Sequence, residues 1–248
     1  MNNKPLISIV TVTFNAESYI EETIKSIIEQ SYPNIEYIII DGKSTDGTVG
    51  IIKKYEHKIT YWISEPDNGI YDAMNKGFKL ANGDFIIFMN SGDIFYSKHV
   101  LNQSIQHFTS LECIYYGNVY FKYENNKLIF YGNEFNHKRL IKENICHQSI
   151  FYPKTIYKNN KYNLKYKLLA DWEYNIRHFN KIKFQYIPVI IAIYDTCGIS
   201  SKNEDKVFIK EYSHIIQNNF GYLYRIWHEY RLFKKYLSYV WKKIRKEL

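Results

Sequence analysis

Four acidic positions stand where a carboxylate can do chemistry: Asp41, Asp67 and Asp93 in the first hundred residues, and Asp171 far downstream. The first three each follow an apolar, β-branched run. Asp41 closes IEYIIID, Asp67 comes just after ITYWIS, and Asp93 closes Asn90-Ser91-Gly92-Asp93 at the end of DFIIFMN. Asp and Asn are common turn and cap formers, so each of them alone reads as a loop residue. Three of them delivered by successive strands to one sheet edge read as a site. Carboxylates at such an edge repel a bare diphosphate unless a divalent cation intervenes. Mg²⁺ and Mn²⁺ prefer oxygen ligands and are held by one or two carboxylates together with substrate phosphates. The expected ligand is therefore a nucleoside diphosphate bridged by Mn²⁺ or Mg²⁺, with Asp41 accepting hydrogen bonds from the base or ribose. The chain has no GxxxxGK[ST] loop and no GxGxxG after its first strand, which excludes a P-loop and a dinucleotide fingerprint.

The elements that must position these groups follow from hydrophobic periodicity. LISIVTVTF (6–14) reads as a buried strand. Residues 16–30 then place Tyr19, Ile20, Thr23, Ile24, Ile27 and Ile28 at helical spacing. IEYIIID (35–41), ITYWIS (59–64) and DFIIFMN (84–90) are further strands, separated by a helix carrying Val49, Ile51, Ile52 and Tyr55 and by one over 70–81. This alternation predicts an α/β fold whose central sheet is mostly parallel, with helices on both faces and ligands at the carboxyl ends of the strands. The second half is less regular. CIYYGNVYF (113–121) and KLIFYG (127–132) suggest a hairpin, ICHQSIF (145–151) a short strand, 170–179 a helix and FQYIPVIIAIY (184–194) a strand.

With 248 residues, 46% of them hydrophobic, the chain can bury one generous core. Cys113, Cys146 and Cys197 form no CxxC pair, which argues against structural zinc and a disulfide framework and suits a reducing compartment. No signal peptide and no run of 18 apolar residues is read. Of the net charge of +8, residues 221–248 supply +6, from eight Lys/Arg against two Glu. The basicity belongs to the tail, so no general nucleic-acid surface is indicated.

ISIVTVTFNAE, IIIDGKSTDGT, SEPDNGIYDAMNKGFKLANGD and FIIFMNSGD together resemble the nucleotide-binding half of family 2 glycosyltransferases, in particular the bacterial branch that builds O-antigen, capsule and other surface polysaccharides. The resemblance is strong over about 5–96 and looser to about 200. It implies a GT-A-like, Rossmann-type fold and transfer of a sugar, from UDP-hexose or UDP-N-acetylhexosamine, to a lipid-linked or surface glycan. It also implies that Val12, Thr13 and Phe14 run along the nucleoside, that Asp41 contacts uracil or ribose, that Asp67 lies beside the nucleotide, and that Lys76 sits near the phosphates. The family's metal-binding Asp-x-Asp falls on Asn90-Ser91-Gly92-Asp93, where Asp93 is the one carboxylate and Asn90 and Ser91 line the donor. The frequent Asp-Asp-Gly after the second strand reads Asp41-Gly42-Lys43 here. A catalytically silent nucleotide-sugar-binding or scaffold protein is the alternative this erosion leaves open. A nucleotidyltransferase is disfavoured, since TFNAESYIEE offers no Gly-rich basic loop.

Transfer with inversion needs a base for the acceptor hydroxyl. Leu168-Leu169-Ala170-Asp171-Trp172-Glu173 resembles the family's acidic motif at the start of the acceptor-side helix, which implies Asp171; an ordinary N-cap is the plain alternative, and Glu173 is the reserve. Trp172 is read either as a sugar platform or as core. His147 and Gln148 are read as facing the acceptor or as structural. A Gly-Ile-Ser turn at Cys197-Gly198-Ile199-Ser200 resembles a late loop of related chains that closes over the donor. The organisation expected is a donor half (1–96), an acceptor half (97–220) and a basic amphipathic helix (221–248). In that helix Leu223, Ile226, Trp227, Tyr230, Phe233, Leu237, Val240, Trp241 and Ile244 make one apolar stripe between Lys and Arg. Such a helix lies in a membrane interface or packs on its own domain. The first reading gives a peripheral protein at the cytoplasmic face of the cell membrane.

Overall fold

The structure, a computed structural model, describes residues 4–196 and 204–247. Its spine is four parallel strands, β1 (Ile7–Thr13), β2 (Ile35–Asp41), β3 (Tyr61–Ser64) and β4 (Phe85–Phe88), ordered β3-β2-β1-β4. Ile and Val dominate β1, β2 and β4 because these strands are covered on both faces. Val10, Val12, Ile38 and Ile40 enter one core layer, while Ile7, Ile9, Tyr37 and Ile39 enter the other. The sheet continues through β8 (Ile150–Pro153), β6 (Ile114–Lys122), β9 (Phe184–Asp195) and β5 (Ile94–Phe95), with β7 (Leu128–Tyr131) paired to β6 as a hairpin. β8 enters antiparallel to β4, while β9 runs parallel to β6.

Helices α1 (Ile20–Ile28), α2 (Thr48–Lys54) and α4 (Val100–Ile105) cover one face, and α3 (Ile70–Leu80) and α7 (Ala170–His178) the other. Two further single-turn helices, α5 (His137–Leu140) and α6 (Lys154–Tyr157), link the second-half elements. The tyrosine-rich composition has a structural use here. Phe78 of α3 stacks on Tyr162 and Tyr174 at centroid distances of 4.9 and 5.8 Å and meets Phe88 edge-on at 5.2 Å. This aromatic packing locks α3 and α7 together over the sheet.

Residues 145–151, expected as one strand, divide in two. His147–Ser149 form a turn of 3-10 helix, and β8 starts only at Ile150. The Cys146 carbonyl accepts the Ser149 amide (3.0 Å) and hydroxyl (2.8 Å), closing the turn and holding the His147 and Gln148 side chains out of the sheet.

Helix α8 (Lys206–Phe220) is capped by Asp205, whose carboxylate takes the Phe208 amide (3.1 Å) and, with its other oxygen, the Leu168 amide (2.9 Å). That tie seats α8 at the start of α7. Trp172 packs against Phe208 and Tyr212 of α8, and its indole N–H donates to the Leu140 carbonyl at 2.7 Å. Of its two readings, the structure selects core. Helix α9 (Tyr222–Glu247) turns back on α8 and packs Tyr224, Trp227 and His228 inward. No described helix is long and apolar enough to cross a membrane.

His178 closes α7 with 3% of its surface exposed, and its Nδ1–H donates to the Tyr174 carbonyl at 2.7 Å. Burial pushes its pKa down from 6.5 to about 4. Below 6.5 the unfolded chain takes up a proton that the folded chain refuses until about 4, so this group's contribution to stability is lost as pH falls through that window. His178→Phe is expected to gain roughly 2–3 kcal/mol on the wild type between pH 7 and 4.5, read by urea unfolding.

Candidate active site

Strand register brings the sequence-predicted residues to one edge. Thr13 lies opposite Asp41, and Asp41 opposite Ser64. On the other side of β1 the Met89 and Ser91 amides continue the ladder onto the Val10 and Val12 carbonyls (2.9 and 3.3 Å). Ser64, Asp41, Thr13 and Asn90-Ser91 are thus lateral neighbours at successive strand ends, roughly 5 Å apart per strand.

Asp41 is turned inward. It is wholly buried, and its oxygens accept the Ser44 amide (2.9 Å), the Ser44 hydroxyl (2.5 Å) and the Ser64 hydroxyl (2.6 Å). The carboxylate expected against base or ribose is engaged in holding the turn after β2 to the end of β3. The open groups nearby are Phe14, 60% exposed, and half-buried Asp67, whose Oδ1 accepts the Gly69 amide at 2.9 Å. A Cβ on Gly42 would fall 2.7 Å from Asp67 Oδ2 and 3.3 Å from the Phe14 ring, so a glycine there keeps this notch open. Gly69, at φ +110°, makes the reversal into α3 that L-residues resist. Lys76, expected near the phosphates, has its ammonium engaged within the protein. Its Nζ is held by Glu65 Oε1 and the Pro66 carbonyl, both at 2.8 Å, and it braces the loop that carries Asp67.

Asp93 is 4% exposed, with Oδ2 accepting from Gln148 Nε2 at 2.7 Å and Oδ1 from the Asp195 amide at 3.1 Å. Burial raises its pKa to about 6; the Gln148 hydrogen bond and the nearby His147 pull the other way, and the neighbouring Asp195 adds to the rise. Among the described residues no group of three His, Cys, Asp or Glu forms a ready-made metal cage. The donor set nevertheless fits a hard dication that completes its shell with diphosphate oxygens, since a buried carboxylate with a second aspartate beside it gains from a neutralising charge. Two buried oxygens at the same edge, Thr13 Oγ1 and Asn90 Oδ1, lack a partner among the described residues, as atoms that meet a ligand do.

Asp171 lies across the 146–149 turn from Asp93. Its Oδ1 accepts the Tyr71 hydroxyl (2.7 Å) and its Oδ2 accepts Asn144 Nδ2 (2.8 Å), while His147 Nδ1 stands 3.5 Å from Oδ2. The far side of the His147 ring meets Asn90 Nδ2 at 3.0 Å. Asn144 is held in turn by Asn175, and Asn175 by the Tyr152 hydroxyl, both at 2.8 Å. Asp171 makes no side-chain cap hydrogen bond to its own helix. That removes the N-cap reading. Glu173 points elsewhere, pairing with Arg177 Nε at 3.2 Å, with its pKa raised by burial.

Sequence reasoning missed Tyr71, Asn144 and Asp195. A signal existed for Asp195, which closes a β-branched run as Asp41 does. The turn Cys197-Gly198-Ile199-Ser200 lies outside the described residues.

The fold is that of GT-A glycosyltransferases. The structure superimposes on Staphylococcus aureus TarS (residues 1–349) with a TM-score of 0.68 at 19% identity, covering 87% of this chain and 66% of that one. It spans 40% of the longer TarS chain. A mannosyltransferase from Pyrobaculum calidifontis, solved with GDP-Man and Mn²⁺, matches with a TM-score of 0.61 at 14% identity over 87% of this chain and 63% of that one. The sequence model of Glycosyl transferase family 2 matches residues 8–208. A PGL/p-HBAD biosynthesis glycosyltransferase of Mycobacterium bovis is 33% identical over 216 residues, 83% of each chain. A putative teichuronic acid biosynthesis glycosyltransferase of Bacillus subtilis is 36% identical over 117 residues, 46% of each. The chain belongs to glycosyltransferase family 2, and it is a transferase of glycosyl groups.

Proposed function

We propose that the protein is an inverting transferase that passes a hexose or N-acetylhexosamine from a UDP-sugar to a hydroxyl of a lipid-linked or surface glycan, in polysaccharide biosynthesis. One observation carries this reading. The turn at 146–149 sends Gln148 to Asp93 and His147 to Asp171, so the leaving-group side and the base side are braced from adjacent residues. Phe14 offers a face to the base, and Asp67 Oδ2 an acceptor to an imide or ribose hydroxyl. Asn90 Oδ1, without a partner among the described residues, accepts from a sugar hydroxyl. Asp171 takes the proton of the attacking hydroxyl as the bond to the diphosphate breaks on the opposite face of the sugar. Asp93 would hold Mn²⁺ or Mg²⁺, which when bound neutralises charge on the departing diphosphate. Complexes of TarS with UDP and with UDP-GlcNAc support the choice of a uridine donor, and the teichuronic acid biosynthesis named for the Bacillus relative supports a polysaccharide as product.

The test is thermal shift with a panel of nucleotide sugars and Mn²⁺, followed by UDP release in the presence of a membrane extract. UDP-sugars are expected to raise the melting temperature and GDP-sugars not to. Binding without turnover on any acceptor would favour the scaffold alternative.

The tail supports a peripheral location at the cytoplasmic face of the membrane. Leu223, Ile226, Tyr230, Phe233 and Leu237 fall on one side of α9 and are all more than 40% exposed, opposite the packed Tyr224 and His228, with Trp227 packed at the stripe's edge. The tail's positive charge complements anionic lipid, each basic residue contributing roughly 1 kcal/mol. Deleting 221–248 removes the anchor but also strips packed residues from the core. The triple change Ile226→Glu, Tyr230→Glu, Phe233→Glu spares them, and is expected to move the protein from the membrane pellet to the supernatant with its melting temperature kept. Unchanged sedimentation would refute the anchor.

A further inference from the structure

We propose that His147 is the positioning residue of the base. One ring nitrogen faces Asp171, and the other ties that carboxylate to Asn90 of the donor-side motif. The inference rests on Asp171 as base and adds what aims it. Asp171 is anchored on one side by Tyr71 and Asn144, whose hydrogen bonds at 2.7 and 2.8 Å come from the α3 side and from the segment before the turn. Neither touches the donor-side motif Asn90-Ser91-Gly92-Asp93. His147 does: its ring spans from Asn90 Nδ2 at 3.0 Å to Asp171 Oδ2 at 3.5 Å.

The proton inventory fixes the direction. An amide nitrogen is a donor without a lone pair to offer, so Nε2 of His147 must accept from Asn90. The neutral ring then carries its hydrogen on Nδ1, facing the carboxylate. Asn90 thereby selects the tautomer, and His147 presents an N–H to Asp171 without taking the acceptor's proton itself. Gln148, the next residue, holds Asp93 at 2.7 Å. One turn therefore sets the base relative to the donor motif. A 1 Å error in such a distance can cost on the order of 100-fold in rate.

Two isosteres separate positioning from mere packing. The amide nitrogen of Asn overlays Nδ1 of histidine, and the side-chain amide of Gln reaches the Nε2 position, where its oxygen turned to Asn90 accepts as Nε2 does. His147→Asn keeps a donor for Asp171, whereas His147→Gln keeps a group for Asn90 and loses the one for Asp171. Turnover is read as UDP released from UDP-N-acetylglucosamine with Mn²⁺ by the full chain. His147→Gln is expected to lose roughly 10- to 100-fold in kcat with KM for the donor unchanged, and His147→Asn to stay within about threefold of wild type. Equal losses in both variants overturn the proposal, because packing alone treats them alike. A second measurement needs no turnover. In ¹⁵N-histidine spectra of the ligand-free protein, His147 is expected as the Nδ1–H tautomer, with that proton signal moving upfield in Asp171→Ala. An Nε2–H tautomer, or a signal indifferent to Asp171, sinks the idea. If wild type binds no UDP-sugar, the donor reading fails while the tautomer still decides this one.

Discussion

Asp171→Asn is expected to lower kcat by roughly 10²- to 10⁴-fold while leaving donor affinity and fold intact, because the base is removed and little else is. The substitution is nearly isosteric, and the site can absorb it. Tyr71 OH lies 2.7 Å from both Asp171 Oδ1 and the Leu168 carbonyl. With the new amide nitrogen turned toward Tyr71, the hydroxyl accepts from it and donates to Leu168. The remaining amide oxygen still receives Asn144 Nδ2. The stability cost should therefore stay near 1 kcal/mol, the worth of one rearranged hydrogen bond. Kinetics with saturating UDP-sugar, beside calorimetry of UDP·Mn²⁺ binding, make the check. A loss confined to KM would show that Asp171 binds rather than accepts a proton. Glu173→Gln serves as the contrast, expected to leave kcat within about twofold, since Glu173 faces Arg177 and not the turn at 146–149.

The donor half was legible because its strands are buried on both faces. An unbroken Ile/Val run has few other fates, and the polar residue that ends such a run marks the sheet edge. Strand ends are one-dimensional information, however. They say where a side chain emerges, not which way it turns. Asp41 turns inward because Ser44, three residues on, and Ser64, on the next strand, supply donors that reach its oxygens. Lys76 is taken by Glu65 and Pro66 for the same kind of reason. In the second half the decisive partners lie far apart in sequence. Tyr71 reaches Asp171 across 100 positions, and Gln148 reaches Asp93 across 55, with no local pattern to announce either. ICHQSIF illustrates the limit. Its apolar ends read as a strand, yet its polar centre is drawn to two carboxylates and the chain closes into a turn. Strand β5, two residues long, is below what periodicity can register.

Asp93→Asn should reverse the order of stability depending on ligand, and that crossing is the second large effect. Without ligand, the wild type bears the cost of a carboxylate whose pKa burial has raised from 3.8 to about 6. Between those values the folded protein keeps a proton that the unfolded chain has released, so this group's contribution to stability falls as pH rises through the window and is lowest above about 6. Asparagine carries no such cost, although its amide nitrogen faces Gln148 Nε2 unless that side chain flips. The variant is expected to match the wild type near pH 4 and to exceed it by about 1 kcal/mol or more at pH 7.5, after allowing for the mismatch. Adding UDP and Mn²⁺ at pH 7.5 then stabilises the wild type by about 3 kcal/mol at a hundredfold excess over its dissociation constant. The variant, without the carboxylate that shares the cation with the diphosphate, should gain little. Differential scanning calorimetry with and without UDP·Mn²⁺ reads both arms. Equal ligand-induced increments in the two proteins would remove Asp93 from the donor site and leave it a buried acid with no purpose but its hydrogen bonds to Gln148 and Asp195.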